Sequence, residues 1–199
     1  MSFPELPFSQ ACENNKRPIL AVLERYLRDS ATVLEIGSGT GQHASFFAAQ
    51  MPQLTWQTSD LPANHPGIRG RIEAACLTNA AMPLDLDVRR SDWGLSEVDA
   101  VFSANTAHIM GWPAVRAMIA GVGRLLTPGG CFLLYGPFNY GGRHTSESNA
   151  RFDLSLRMSD PAMGIRDFEQ IAAEAETAGL ALEEDCGMPA NNRLLVWRK

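Results

Sequence analysis

Lysine is almost absent from this sequence. Lys16 and Lys199 are the only two among 199 residues, and the formal net charge is −5. Proteins that bind nucleic acids usually carry a surplus of basic side chains, because these side chains neutralise phosphates. Neither lysine has a tyrosine four residues before it, so the Tyr-x-x-x-Lys pair of short-chain dehydrogenases is also missing. We therefore expect no nucleic-acid partner and no nicotinamide-dependent oxidoreductase.

Long apolar segments and paired cysteines are missing too. No run of about 18 or more uninterrupted apolar residues is present, and residues 1–5 lack the basic start of a signal peptide. The cysteines are far apart and form no Cys-x-x-Cys pair, so we expect neither a disulfide framework nor a metal site. The expectation is a soluble, cytoplasmic protein without a membrane contact.

What remains has the composition of a globular α/β protein. Hydrophobic residues make up 45% of the chain and charged residues 20%, and the length fits one domain over residues 1–199. Apolar strand-like runs alternate with segments of helical periodicity, which favours a mostly parallel sheet with helices on both faces. The predicted strands are residues 32–36, 54–59, 82–86, 98–103, 131–135, 180–186 and 194–197. The last two follow each other after a short turn, so one of them should run antiparallel.

Helices are predicted from Pro18 onward, after Gly41, and through residues 68–76, 112–126 and 165–175. Two further segments are predicted to cover a binding pocket. Residues 1–30 form an N-terminal lid and helix, and residues 136–164 form a long loop, because that segment is polar and shows no clear periodicity. Alternatively, residues 14–17 are a polar cap with exposed charges, and the long loop is a docking surface for a protein partner.

The stretch from Glu35 to Gly41 reads Glu-Ile-Gly-Ser-Gly-Thr-Gly and follows the first predicted strand. Alternate glycines let the backbone turn tightly and approach a ligand without a Cβ in the way. The next helix directs its free N–H groups toward this loop. Such a loop on its own also occurs as a plain turn.

Two acids strengthen the prediction of a nucleoside ligand. Asp60 ends the second strand, about twenty residues after the loop, where an acid accepts the hydroxyls of an adenosine ribose; alternatively it caps the next helix. Asp87 follows the third strand and is placed to accept a hydrogen bond from an adenine amino group. Alternatively, Asp87 is a solvated acid like the nearby Asp85.

The segment Leu34–Gly41 resembles motif I of the class I S-adenosylmethionine-dependent methyltransferases. The resemblance continues at Asp60, Asp87, Asn105 and residues 128–130. It implies a Rossmann-like class I fold, with a seven-stranded mostly parallel sheet and one antiparallel strand near the C-terminus. More narrowly, the chain resembles the uncharacterised methyltransferase-like protein 26 family, also called domain of unknown function 938. The matching segments are residues 14–20, 105–109, 136–138 and 189–192.

The resemblance implies S-adenosylmethionine as the cofactor. The third glycine comes one residue earlier than in dinucleotide-binding loops, which favours a cofactor without a pyrophosphate. The glycine loop would contact the methionine half, Glu35 and the Asn105 backbone its amino-acid end, Asp60 the ribose, and Asp87 with Val88 the adenine. The implied cofactor-binding residues are Glu35, Gly37, Ser38, Gly39, Gly41, Asp60, Leu61, Asp87, Val88, Asn105 and Asn15.

The methyl acceptor is expected to be a small molecule. The Asn-Pro-Pro-Tyr, Lys-Asp-Lys-Glu and Pro-Cys signatures of nucleic-acid and amide methylases are all missing, which leaves small molecules and exposed protein groups. His108, His144 and Tyr140 are the candidate catalytic residues, since a histidine can take a proton near neutral pH; alternatively, His108 is a hydrogen-bonded loop residue and His144 a surface residue. The alternative function is a cofactor-binding protein without methyl transfer of its own. The atom methylated and the oligomeric state stay open.

Overall fold

The computed structural model describes residues 6–199, so the first five residues of the expected lid lie outside the described part. The chain divides into two compact units, the first ending at Asp87 and the second spanning Val88–Lys199. Strands and helices alternate in the first unit, whereas the second unit ends with two consecutive strands. The single domain over residues 1–199 stays a prediction.

The strands are β1 (Thr32–Ile36), β2 (Thr55–Asp60), β3 (Ala80–Asp85), β4 (Val98–Ala104), β5 (Leu126–Gly136), β6 (Phe138–Asn139), β7 (Arg166–Asp167), β8 (Ala181–Met188) and β9 (Asn192–Arg198). The helices are α1 (Gln10–Tyr26), α2 (Gln42–Gln50), α3 (His65–Ala75), α4 (Trp112–Leu125), α5 (Glu147–Ser159) and α6 (Phe168–Thr177). All strands except β6 and β7 belong to a seven-stranded sheet. The sheet is mostly parallel, and β9 runs antiparallel to β5 and β8. The predicted architecture is confirmed.

In the first unit the strands lie in the order β3-β2-β1 and are all parallel. The apolar run of β1 is buried, as expected for a strand covered on both faces. The register pairs Glu35 with Thr58 and Ile36 with Ser59. The residues after Ile36 and the residue after Ser59 therefore meet at the carboxyl edge of this part of the sheet.

In the second unit β4 and β5 are parallel, and β9 and β8 follow in that order. The ring of Phe132 on β5 stacks on that of Trp197 on β9, with centroids 5.5 Å apart. Gly123 on α4 allows a close approach, because a Cβ there would lie 2.4 Å from the Ala178 carbonyl oxygen after α6. The predicted turn between the last two strands is present and contains Asn191 with a φ of 57°.

The starts of one helix and one strand differ clearly from the sequence predictions. Helix α1 begins at Gln10, well before the predicted first turn at Pro18, because the Ser9 side chain accepts a hydrogen bond from the Cys12 N–H and caps it. The proline lies inside the helix. Strand β5 begins at Leu126 and not at Cys131, because residues 127–130 form a bulge between two points of pairing with β4.

The prediction of a loop throughout residues 136–164 is wrong, since the segment contains β6 and the whole of α5. The buried residues of α5 are Asn149, Asp153 and Leu156. Because two of these three are polar, the helix shows no apolar periodicity. The sequence does contain a signal for the start of this helix, namely a serine at the N-cap position. Ser146 caps α5 by accepting a hydrogen bond from the Asn149 N–H. No helix within residues 6–199 has the length and apolar character that a membrane span requires.

Candidate functional site

The glycine loop follows β1 and turns sharply at three places. Gly37, Gly39 and Gly41 have φ values of 76°, 54° and 72°, a backbone conformation that side chains with a Cβ rarely adopt. The N–H groups of Gly37 and Ser38 both donate to the Ser59 carbonyl oxygen, at 3.0 and 2.9 Å. The parallel register of β1 and β2 thus fixes the start of the loop.

Asp60 holds the middle of the loop. Its Oδ2 accepts a hydrogen bond from the Gly39 N–H at 2.7 Å, and its Oδ1 accepts from the Leu61 N–H at 2.7 Å and from Asn64 Nδ2 at 2.8 Å. Asp60 is therefore bonded to the glycine loop, but the alternative that it caps the next helix is wrong, because Asn64 is the N-cap residue of α3 and no side chain makes a capping hydrogen bond there. A carboxylate has about four acceptor positions, so one position of Asp60 is left for a further donor.

The loop glycines differ in what surrounds them. A Cβ on Gly39 would meet no heavy atom within 4 Å, so this face of the loop is open to a ligand. A Cβ on Gly41 would lie 3.2 Å from Ile68 Cα and 3.5 Å from Arg71 Cβ, so Gly41 permits α2 and α3 to pack closely. Gly39 is thus the glycine that fits a cofactor, and Gly41 is explained by packing.

Glu35 lies beneath the loop and is 2% exposed. Its Oε2 accepts hydrogen bonds from Ser38 Oγ at 2.8 Å and from Trp56 Nε1 at 3.2 Å. Burial raises the pKa of this carboxyl to about 7, although the two hydrogen bonds act in the opposite direction. Glu35 and Ser38, both predicted to contact the cofactor, are therefore also hydrogen-bonded to each other within the fold and stabilise the loop.

The N-terminal segment is bound to the loop through Gln42, a residue that the sequence analysis missed. Gln42 Oε1 accepts from the Ser9 N–H at 2.6 Å and from Thr40 Oγ1 at 3.0 Å, and its Nε2 donates to Glu13 at 2.7 Å. Arg71 adds a second link, since it donates to the carbonyl oxygens of Thr40 and Pro7. The start of α1 therefore lies against the glycine loop.

Asn15, predicted to contact the cofactor, is buried in α1 with an exposure of 6%. Its Oδ1 is 2.7 Å from His43 Nε2, and the His43 ring stacks on Phe47. Burial lowers the pKa of His43 to about 4, so the ring is neutral at pH 7 and its N–H can donate to Asn15. The cofactor contact of Asn15 stays a prediction.

The remaining predicted cofactor residues lie at strand ends. Asp87 is half-buried after β3, at the end of the first unit, and Val88 is buried at the start of the second. Asn105 directly follows β4 with a φ of 57°, and its N–H donates to the Tyr135 carbonyl oxygen at 2.9 Å. A non-glycine residue in this conformation is uncommon and marks a constrained turn.

His108 is the buried member of the three catalytic candidates. It is 6% exposed, and its ring meets the Phe152 ring edge-on with centroids 5.2 Å apart. Burial and the neighbouring Arg166 charge lower its pKa to about 4, so the imidazole is neutral at pH 7. Its Nδ1 is 3.6 Å from the position a Cβ on Gly136 would occupy, at the end of β5.

The other two candidates are bound elsewhere. Tyr140 donates its hydroxyl to Asp185 Oδ2 at 2.7 Å, and burial together with this carboxylate raises the pKa of the phenol. His144 is exposed, with Nε2 3.8 Å from Asp153 Oδ2. Tyr140 is thus bonded to β8, whereas His144 lies near Asp153 of α5 and His108 packs against Phe152 of the same helix.

Residues 164–166 hold the His108 loop in place, a role that sequence reasoning missed. The Gly164 N–H donates to the His108 carbonyl oxygen at 2.9 Å, and Arg166 Nε donates to that of Ala107 at 3.0 Å. Arg166 Nη2 donates further to the carbonyl oxygens of Met110 and Ala162. An arginine whose acceptors are main-chain carbonyls leaves no charge pattern in the sequence, so no sequence signal pointed to this role.

The seven-stranded sheet is shared with solved methyltransferases. An O-methyltransferase family protein from Burkholderia thailandensis superposes with a TM-score of 0.82 at 22% identity, over 92% of this chain and 56% of that one. An O-methyltransferase family 2 protein from Planctomyces limnophilus, in complex with apigenin, gives 0.83 at 16% identity, over 95% and 57%. Human N-acetylserotonin methyltransferase, in complex with S-adenosylmethionine, gives 0.73 at 16% identity, over 96% and 53%.

These likenesses define the fold as the Rossmann-like fold of class I methyltransferases, as the resemblance implied. The chain spans only 53–57% of the length of these three solved proteins. Residues 6–199 match the family described as "Protein of unknown function (DUF938)", and the chain belongs to this family.

Proposed function

We propose that this protein is an S-adenosylmethionine-dependent methyltransferase that acts on a small-molecule acceptor. The glycine loop of the first unit carries the proposal. Its three glycines are in the left-handed conformation, Gly39 has open space on its side-chain face, and its N–H is bonded to Asp60 at 2.7 Å. Such a loop offers backbone groups and a carboxylate to a nucleoside ligand without a Cβ in the way.

The proposed cofactor contacts are those implied by motif I. The glycine loop would hold the methionine half, Glu35 and Asn105 its amino-acid end, and Asp87 with Val88 the adenine. Asp60 would accept one ribose hydroxyl and not two, because three donors already use its carboxylate. Leu61 would line the ribose, since its side chain is 49% exposed next to Asp60.

When bound, the cofactor supplies a methyl group on a sulfonium sulfur, and transfer leaves the electron pair of the broken bond on that sulfur. We propose His108 as the base that takes the proton of the acceptor. Its imidazole is neutral at pH 7, so a ring nitrogen is available, and it follows a strand end, where α/β sheets bind ligands. Residues 164–166 would fix its position.

The preference for a small acceptor has two supports. The net charge of −5 does not suit a nucleic-acid track. The likeness to a Planctomyces limnophilus structure in complex with apigenin supplies a first probe, a planar compound with several hydroxyl groups. We also propose, as a separate point, that the chain is related to the methyltransferase-like protein 26 family, the narrower of the two resemblances found in its sequence.

A second candidate function is cofactor binding without methyl transfer. It is favoured by the positions of Tyr140 and His144, because the first is bonded to Asp185 and the second is exposed beside Asp153. Of the three candidate bases His108 then remains, and its low pKa makes it a weak one.

Two measurements test the proposal. Calorimetric titration with S-adenosylhomocysteine should show one site, and no binding would overturn both candidate functions. Radiolabelled S-adenosylmethionine is then incubated with the protein and a panel of hydroxylated aromatic compounds that begins with apigenin. Labelled product supports the methyltransferase. Binding of S-adenosylhomocysteine with no labelled small molecule, but with label on added protein, would replace the small acceptor by a protein one. Binding with no label anywhere supports the second candidate.

A further inference from the structure

Asn139, on β6, is a buried amide with an unused oxygen. The side chain is 7% exposed, and its Nδ2 donates to the Ile165 carbonyl oxygen at 3.4 Å. Its Oδ1 has no hydrogen-bond partner among residues 6–199. A buried acceptor without a donor costs about 1–3 kcal/mol, and the large majority of such groups in folded proteins are paired. The Asn139 oxygen therefore needs a donor from outside residues 6–199.

Asn139 and the candidate base His108 follow neighbouring strands of the sheet. Strands β4 and β5 are parallel, with Ala104 paired to Tyr135, so the residues that follow both strands leave the same edge of the sheet. His108 follows β4, and Asn139 is three residues after the end of β5. Ligands of α/β proteins bind at this edge.

One short segment, residues 164–167, holds both residues. Gly164 donates to the His108 carbonyl oxygen, Ile165 accepts from Asn139, and β7 pairs Asp167 with Asn139. The main chain of the His108 loop and the Asn139 amide are thus both bonded to the same short segment.

An aromatic ring packs against His108 at the same edge of the sheet. The Phe152 ring lies edge-on to the His108 ring and is 41% exposed. An exposed aromatic ring beside a neutral imidazole favours a flat aromatic ligand, since such rings pack in edge-on and offset arrangements. Arg166 uses its side chain on main-chain carbonyls, so no carboxylate is needed on the ligand.

We infer that Asn139 recognises the methyl acceptor by accepting a hydrogen bond from a hydroxyl group on an aromatic ring. The inference rests on the proposed function, because it names the substrate class of the same site. The buried oxygen selects compounds that donate, and it rejects ethers of the same shape, which leave it unpaired. Phe152 and His108 provide the surface on which the ring packs.

The first test uses the free protein and needs no ligand. Asn139→Leu removes an amide whose oxygen has no donor, so thermal unfolding should change by no more than a few degrees. Asn149→Leu is the matched control, because Asn149 is equally buried at 6% and donates to Thr145 Oγ1 and to the Asn191 carbonyl oxygen. The control should unfold at a clearly lower temperature. Equal losses in both variants would show that the Asn139 oxygen has a structural role, and would overturn the inference.

The second test compares phenol with its methyl ether, anisole, by ligand-observed NMR titration, with and without saturating S-adenosylhomocysteine. Wild-type protein should bind phenol about tenfold more tightly, the value of one hydrogen bond. Asn139→Leu, or Asn139→Ala if the first variant does not fold, should bind the two compounds equally. No preference in the wild type, or a preference that survives in the variant, would overturn the inference. Binding of S-adenosylhomocysteine is measured separately. If the protein does not bind it, the proposed function is contradicted, but the comparison of phenol with anisole can still be interpreted.

Discussion

The first unit builds its candidate site from main chain, and the second builds its own from side chains. In the first, the loop after β1 is fixed by N–H groups that donate to Ser59 and Asp60. One face of the loop is open because Gly39 has no side chain. In the second, Tyr140 and His108 depend on side chains far away in the sequence, Asp185 for the former and Phe152 for the latter. The spacing of residues along the sequence therefore indicates a site built from main chain. Which side chains come together in the other site depends on tertiary packing.

The sharpest way to break this comparison is to block the open face of the loop. Gly39→Val should abolish binding of S-adenosylhomocysteine, because the new side chain fills the ligand's space in a left-handed position. Gly179→Val is the matched control: Gly179 has a φ of 80° and also no heavy atom within 4 Å of a Cβ. Both variants should lose about 1–2 kcal/mol of unfolding free energy. Calorimetry that finds normal binding to folded Gly39→Val would reduce the loop to a plain turn.

The second unit is tested through its histidines. His108→Ala should lower methyl transfer by about 10²–10⁴-fold, the usual contribution of a general base, while S-adenosylhomocysteine still binds. His144→Ala, on an exposed side chain, should leave transfer unchanged.

The pH profile gives an independent check of the same base. Because the pKa of His108 is about 4, kcat/KM should stay level down to about pH 5. A fall near pH 6.5, where an ordinary histidine titrates, or a larger loss in His144→Ala, would transfer the role away from His108.

The difference between the units also explains what the sequence could predict. The seven strands, the loop and Asp60 were predictable, because glycines, apolar runs and strand-end acids have fixed local spacing. Helix α5 was missed because its buried face carries Asn149 and Asp153, so no apolar period is present. The sequence also could not separate Gly39 from Gly41, since only the packing of α3 against the latter distinguishes them.

Asp60 tests whether the first unit binds by charge as well as by backbone. Asp60→Ala should weaken S-adenosylhomocysteine binding about 10- to 100-fold, the worth of a charge-assisted hydrogen bond plus a loosened loop. Asp160→Ala is the control, since Asp160 also accepts a backbone N–H, from Ala162 at 2.8 Å, and lies in the second unit. Unchanged affinity in Asp60→Ala would remove this residue from the ribose contact.

Glu35 gives the smallest effect, a pH dependence of stability that belongs to the first unit. Its folded-state pKa is about 7 against an ordinary 4.5, so between these values the folded protein holds more protons than the unfolded chain. Stability from this group is therefore complete below pH 4.5 and is lost as the pH rises to about 7. The full loss is at most about 3 kcal/mol, from 1.36 kcal/mol per pKa unit.

Glu35→Gln keeps the shape of the side chain and removes the proton exchange, so it isolates this contribution. His43 and His108 act with the opposite sign, because burial lowers the pKa of each to about 4 and their neutral forms are favoured as the pH rises. The quantity to compare is therefore the difference in melting temperature between wild type and variant from pH 5 to pH 8, in which the histidine contributions cancel. The variant should gain on the wild type by a few degrees across this range, since the wild-type protein must ionise a buried carboxyl that accepts from Ser38 and Trp56. A difference that stays constant with pH would mean that Glu35 is already ionised at pH 5, and that the loop rests on a buried charge.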